Sequence, residues 1–337
     1  MSSLPASQSQ STASTGWLLR RFALGLIFGV LVLVAVSLFG DLRQVSTQVL
    51  AFRWSLFPVV LLLTLFNYTL RFLKWHFYLS QIGAEHLGWL ESARLFVAGF
   101  PLAVTPGKAG EVLKGIWLQQ AAGVPVARGV AVVVAERVSD GLAVLLLSTI
   151  GVIAYPQYWP AFAAILAVLL SVVIVSQVRP LALGLISLSA RLPVIKRFTP
   201  VVREFYEGSF AVFRPKATLL AVMLGMISWL GEGAGMYLIL IGLGVSPGIH
   251  TLVVAVFTLS FSIVIGAAST LPGGLGASEA SIAGMLTLLL GLAAPQSAAA
   301  TLLIRFATLW FGISLGLLVW IFSPRLLGFG SHLEKPA

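Results

Sequence analysis

The 337-residue chain has no cysteine, which excludes disulfides, thiol nucleophiles and thiolate metal sites. Charge is nearly as scarce. Asp, Glu, Lys and Arg together make up 9% of the residues, against about a quarter in soluble domains, so a water-exposed globule is excluded. His76, His86, His250 and His332 are scattered without His-x-x-x-His spacing, and the carboxylates form no recognised metal pattern. No cofactor is expected. A nucleotide-binding P-loop is missing too, because Leu102 stands where the glycine preceding Gly107-Lys108 would be needed. What is present is apolar sequence: 58% of residues, with a mean hydropathy of +1.01. It comes in long continuous runs rather than ten-residue alternating segments, which gives an all-α polytopic membrane protein and not a β-barrel.

The formal charge of +10 suggests nucleic acid until positions are read. Lys and Arg sit at span ends and in loops of one parity, which is positive-inside topology. No nucleic-acid partner is expected. Residues 1–16, rich in Ser, Thr and Gln, read as a disordered cytosolic tail. Six full spans are expected at about 22–39, 56–78, 124–153, 161–178, 217–243 and 298–322, within a single membrane domain over 17–325, followed by a cytosolic tail at 326–337. Gly25-x-x-x-Gly29 and Gly231-x-x-x-Gly235 offer small-residue packing faces. They leave open whether the contacts lie within one chain or in a homo-oligomer. Residues 179–216 carry Arg179, Arg191, Lys196, Arg197, Arg203, Arg214 and Lys216 against Glu204 and Glu207, which reads as an amphipathic cytosolic linker on an anionic leaflet.

Two stretches break the pattern. Between Ala93 and Ala121 a Thr105-Pro106-Gly107 interruption and three charges, Lys108, Glu111 and Lys114, separate apolar arms that are each too short to cross a bilayer. Open backbone in hydrocarbon is tolerated only against protein or a watery cavity, so this segment is expected to dip in and return. A counterpart lies 166 residues on, where Pro272-Gly273-Gly274-x-Gly276 precedes Glu279 within Thr251 to Leu292. Arg137 after the first break is answered by Arg305 after the second, 168 residues later. The expectation is two re-entrant broken-helix hairpins in two repeats, about 56–153 and 217–322. Loop parity puts the repeats in opposite orientation, the inverted-repeat plan of many secondary transporters, with a site near the midplane.

Ionisable side chains inside apolar runs add the chemistry. Arg71 and Lys74 share a helical face near the end of the second span, with Arg71 facing the interior and Lys74 open between the interior and the headgroups. Glu136, Arg137 and Asp140 interrupt the third span, and Glu232 sits between two glycines in the fifth. Charges at such depth cost at least about 2.5 kcal/mol each unless they face a cavity or one another. Backbone N–H groups at the helix starts Gly110 and Gly276 favour phosphate. Lys108, Arg71, Arg137 and Arg305 complement anions, and Glu111, Glu136, Asp140, Glu232 and Glu279 meet cations, amines or sugar hydroxyls.

At TPGKAGE (105–111), ERVSD (136–140) and LPGGLGASE (271–279) the chain resembles the lysylphosphatidylglycerol synthase transmembrane family, over roughly residues 20–325. The resemblance implies a flippase-like core of spans and two re-entrant helix pairs that moves lipids with charged or sugar-bearing heads. It implies roles for Thr105, Gly107, Gly110, Glu111, Glu136, Arg137, Asp140, Gly273, Gly274, Gly276 and Glu279. The sequence ends at Ala337 without the aminoacyl-transferase domain of bifunctional members. The expected activity is therefore lipid flipping or scrambling in a bacterial cytoplasmic membrane, with both termini cytosolic, on an aminoacyl-phospholipid or a polyprenyl-phosphate-linked sugar. Two rival readings stay open. One is a non-transporting membrane partner of a lipid-modifying glycosyltransferase; the other is a membrane transferase or hydrolase using Glu136 and Asp140 as acid and base.

Overall fold

A computed structural model describes residues 42–152, 159–189 and 196–323. The two tails, the span expected at 22–39 and Arg191 lie outside them. Among the described residues the chain is helical without strands. A short helix α1 (Leu42–Ala51) leads through a 3-10 turn to α2 (Phe57–Gln81), where Pro58 sits in the first turn and removes no needed N–H. Next come α3 (Trp89–Ala98), α4 (Val112–Ala122) and α5 (Val126–Val152). They are followed by α6 (Trp159–Gln177), α7 (Arg179–Ser189), α8 (Thr199–Val212) and α9 (Pro215–Gly242). The chain finishes with α10 (Ile249–Ala268), α11 (Ala277–Leu290), α12 (Ala294–Arg305) and, across a π-turn, α13 (Phe311–Phe322).

By length and composition five helical stretches can cross a membrane: Trp54–Gln81, Pro215–Gly242, Ile249–Ala268, Pro272–Leu290 and Ala294–Phe322. A bent pair, Phe162–Gln177 with Ala182–Leu188, brings the number to six. The 27-residue α5 is also long enough, but Arg128, Glu136, Arg137 and Asp140 interrupt its apolar sequence. The chain is thus an all-α, multi-pass membrane protein.

α2 and α9 form the antiparallel centre of the bundle. The Arg53 amide donates to Gly242 O at 3.0 Å, and a Cβ on Gly231 would meet Phe66 at 3.0 Å while one on Gly235 would meet Val60 at 3.4 Å. The small-residue motif read from the sequence is therefore the seam along which α2 lies, as close packing without a hydrophobic driving force requires. Because these two helices run in opposite directions, the segments that follow them start from opposite ends. The α3 start is held beside the end of α2 by His76 Nδ1 and Ser92 Oγ at 3.0 Å. α10 starts at the other end, where Gln296 Nε2 at the head of α12 donates to Leu243 O at 2.9 Å.

Each of these segments is broken. The first passes through 3-10 turns at Phe100–Val104 and Pro106–Glu111, joined by extended Thr105, between arms of 10 and 11 residues. The second turns at Pro272–Gly274, where Gly273 and Gly274 have φ of 61° and 67°, a left-handed path that needs glycine. The arms of the second break are longer, and both Ile249–Ala268 and Pro272–Leu290 can cross by length and composition, unlike those of the first. The two tips touch: a Cβ on Gly273 would lie 3.4 Å from Val104 Cγ1. Trp320 Nε1 on α13 donates to Ala98 O at 2.9 Å and holds the first tip in place.

Tight helix seams make a stability prediction. A Cβ on Gly233 in α9 would stand 2.7 Å from Val256 Cγ2 and 3.1 Å from its Cα, so Gly233→Ala is expected to destabilise the protein by ~1–3 kcal/mol through overpacking. Gly284 on α11 has open space around its Cβ position, and Gly284→Ala is expected to be neutral or stabilising within about 1 kcal/mol. Thermal unfolding in detergent of the two variants beside the parent checks both.

Candidate functional site

Where the two tips meet, a cavity of about 620 Å³ is enclosed by α2, α5, α9 and α10, the two breaks and the π-turn. Its polar wall is built from ion pairs. Asp140 Oδ1 accepts a short hydrogen bond from Lys74 Nζ, and Arg71 Nε lies 3.3 Å from its Oδ2. Lys114 Nζ bonds Glu136 Oε2 at 2.9 Å and rests over the rings of Trp75 and Phe96 at 4.4 and 5.1 Å, where the ring faces attract a cation. Arg137 grips Glu111 with two donors, Nε at 2.9 Å and Nη2. Arg305 Nε donates to Glu279 Oε1 at 2.5 Å, and its Nη2 reaches Gly273 O at 3.3 Å.

The last two pairs repeat one another. In both, a carboxylate at the tip of a broken segment is held by the arginine 26 residues further on, from the helix that returns across the bundle. The sequence spacing that relates Arg137 to Arg305 also relates Glu111 to Glu279. Taken together, Arg71, Lys74, Lys114, Arg137 and Arg305 are matched one for one by Glu111, Glu136, Asp140, Glu232 and Glu279. Isolated ions in a low-dielectric interior carry penalties of several kcal/mol each, and mutual pairing is what offsets them.

Glu232 is the exception in geometry. It is buried and lines the cavity, yet it has no hydrogen bond or salt bridge among the described residues. The nearest guide to its setting is Trp229, one turn earlier on α9, with the Arg71 guanidinium 5.7 Å from its ring centre. Arg71 and Lys74 share Asp140, so the cation in excess at Asp140 lies beside the carboxylate without a partner.

Of the residues singled out by sequence, Arg71, Glu111, Arg137, Asp140, Glu232, Gly273, Gly274 and Arg305 face the cavity. Glu136, Glu279, Thr105, Gly110 and Gly276 stand behind this wall and support it. The two amides read as phosphate seats are engaged within the protein: Gly110 N donates to Thr105 Oγ1 at 2.8 Å, and Gly276 N donates to Glu279 Oε2 at 2.7 Å. α4 begins at Val112, after a 3-10 turn, rather than at Gly110, and α11 begins at Ala277. Gly107 and Lys108 belong to that turn, and the Lys108 side chain lies outside the described ones. Lys74, whose position between interior and headgroups was open, is fully buried.

Sequence reasoning gave no site role to Lys114, Tyr68 or Trp229. Lys114 follows Glu111 by three residues on the same arm, a spacing that could have flagged it. Tyr68, whose hydroxyl donates to Thr308 O in the π-turn at 2.6 Å, carried no such signal. Opposite the ions the wall is apolar, from Ile165, Val168 and Leu169 of α6. Val168 is 62% exposed, so this apolar wall is open rather than packed against protein there. The isolated Lys114 and Glu136 pair gives a test of the ion-pair account. Lys114→Met alone is expected to cost ~3–5 kcal/mol, because it strands a buried carboxylate, and Lys114→Met with Glu136→Leu to recover most of that loss. Unfolding midpoints of the two single variants and the double variant measure it.

Comparison with known proteins places this architecture. A curated relative, a UPF0104 membrane protein of Methanothermobacter thermautotrophicus, is 24% identical over 318 residues, covering 88% of this chain and 92% of the relative. No solved structure matches. The family described as the lysylphosphatidylglycerol synthase TM region matches residues 22–316, which include both breaks, the ion-paired α5 and the arginine of α12, and the chain belongs to that family.

Proposed function

We propose that the protein moves lipids with charged or sugar-bearing headgroups between the leaflets of a cytoplasmic membrane, through the cavity between the two tips. Family membership points to a membrane protein that acts on lipids. The observation that carries the finer reading is the asymmetry of the cavity. Ion pairs line one part, and the apolar side chains of α6, with Val168 62% exposed, line another. A headgroup needs the first part and its tails need the second. We read the two broken segments as re-entrant halves of an inverted repeat, the arrangement in which alternating exposure of a central site is a rocking of equivalent parts.

The arginine pairs suggest the exchange step. A lipid phosphate offers the geometry that a carboxylate offers to a guanidinium fork. It can therefore share Arg137 with Glu111, or Arg305 with Glu279, so that neither the guanidinium nor the carboxylate is left bare. An anionic headgroup adds one negative charge to these ion pairs, and that charge must be compensated. Glu232, which makes no hydrogen bond or ion pair among the described residues, is the residue that takes up a proton as the headgroup enters. A headgroup carrying both an amine and a phosphate needs no such compensation.

Quenching of headgroup-labelled lipids by dithionite in proteoliposomes tests this reading. The parent protein is expected to expose inner-leaflet label of a phosphatidylglycerol, an aminoacylated phosphatidylglycerol or a polyprenyl-phosphate sugar. Arg137→Ala and Arg305→Ala are each expected to slow it about tenfold or more, the scale of losing one buried charged contact. Folded protein that moves none of the three lipids, or arginine variants that match the parent, would sink the proposal. Glu232→Gln is expected to flatten the pH dependence of movement for the anionic lipid and to leave that of the zwitterionic one unchanged.

A further inference from the structure

A second cavity, of about 840 Å³, lies away from the first, in the linker between α6 and α9. Arg128 at the start of α5, Arg179 at the start of α7, and Lys196, Arg203, Glu204 and Glu207 on or beside α8 line it. Two of the cations are paired: Arg128 Nε with Glu204 Oε2 at 2.6 Å, and Arg179 Nη2 with Glu207 Oε1 at 3.2 Å. Lys196 and Arg203 have no carboxylate among the described residues. The hydroxyl of Thr199, which also lines the cavity, is shielded from solvent without a hydrogen-bond partner, and the start of α8 lacks a side-chain cap. The cavity thus offers two spare cations and a hydroxyl to one anion.

Its surroundings say where that anion comes from. Phe198, Val201 and Val202, on the same turn as the cations, are 48%, 57% and 39% exposed, and Arg197 stacks on Phe198 at 4.7 Å. Exposed apolar side chains beside a basic cluster, on a segment that joins two bilayer-crossing elements, belong in the interface between headgroups and acyl chains. We infer that this linker cavity seats the phosphate of an anionic phospholipid from the adjacent leaflet, held by Arg203 and Lys196 with the Thr199 hydroxyl. The site stands on its own residues and does not depend on lipid movement through the central cavity. It does share a helix with it, because Arg128 and Arg137 both lie on α5, against which α8 packs through Gly208, whose Cβ position is 3.0 Å from Arg128 Cα.

The test uses the full chain in phosphatidylcholine nanodiscs containing a phosphatidylglycerol with a photoreactive headgroup, the crosslinks being mapped by peptide mass spectrometry. Labelling is expected on residues 196–207, and headgroup-photoreactive phosphatidylcholine is expected to leave them unlabelled. Lys196→Ala with Arg203→Ala should lower the labelling about tenfold or more, given the contribution of each cation near an anionic surface. Arg203→Lys should keep most of it. Arg214→Ala with Lys216→Ala removes as much charge from the same linker outside the cavity and should change little. Equal losses in the two double variants would mean diffuse surface attraction and overturn the site. Complete competition by excess inorganic phosphate would assign it to a soluble anion instead of a lipid and overturn the lipid assignment.

Discussion

Charge inside hydrocarbon is tolerated only when it is matched, and that constraint organises the centre of this protein. Asp140, Glu136, Glu111 and Glu279 each hold a cation from a different part of the chain. The pairs therefore act as cross-links between elements that have no water-driven reason to associate. Lys74 ties α2 to α5, Lys114 ties α4 to α5, and the two arginines tie each broken tip to the helix that follows it. Small residues then let the backbones close around these pairs, as Gly231 and Gly235 do along the α2 and α9 seam. Polar pairing and close packing are complementary here, because the first fixes which faces meet and the second fixes how near they come.

The same matching makes the cavity suited to exchange. A pair that is stable only while both partners are present resists the loss of either one, and on the proposed reading it admits a headgroup by sharing its cation. Arg137 and Arg305 both line the cavity, each holding the carboxylate 26 residues before it, so the proposed exchange has two like sites. Glu232 lines the same cavity and makes no hydrogen bond or ion pair among the described residues. The linker cavity at Arg128 obeys different rules, since the paired side chains of Arg128 and Glu204 are more than a third exposed and screened by solvent.

Much of this was legible in the sequence. Long apolar runs gave the helical membrane class, Pro-Gly interruptions gave both breaks, and ions within apolar runs gave most of the cavity wall. Partner choice was not legible. Glu136 and Asp140 share a helical face, yet one takes Lys114, 22 residues away, and the other takes Lys74, 66 residues away, because the rotation of neighbouring helices decides which cation arrives. The phosphate seats expected at Gly110 and Gly276 were misplaced for a local reason: a short polar side chain, Thr105 or Glu279, reaches each amide first. Whether the arms of the second break cross was not legible, since an apolar run such as Thr251 to Ser269 is nearly long enough to span but does not say where its helix ends.

The central claim is that headgroups pass between two tips that meet inside the bundle. The absence of cysteine allows a direct measurement. Val104→Cys with Gly273→Cys places two thiols across the contact, at positions close enough for a disulfide. Gly273→Cys alone controls for its left-handed backbone. The account predicts that oxidation joins the tips, that lipid movement in proteoliposomes then stops, and that reduction restores it. Failure of the disulfide to form, or unchanged movement once it has formed, would contradict it.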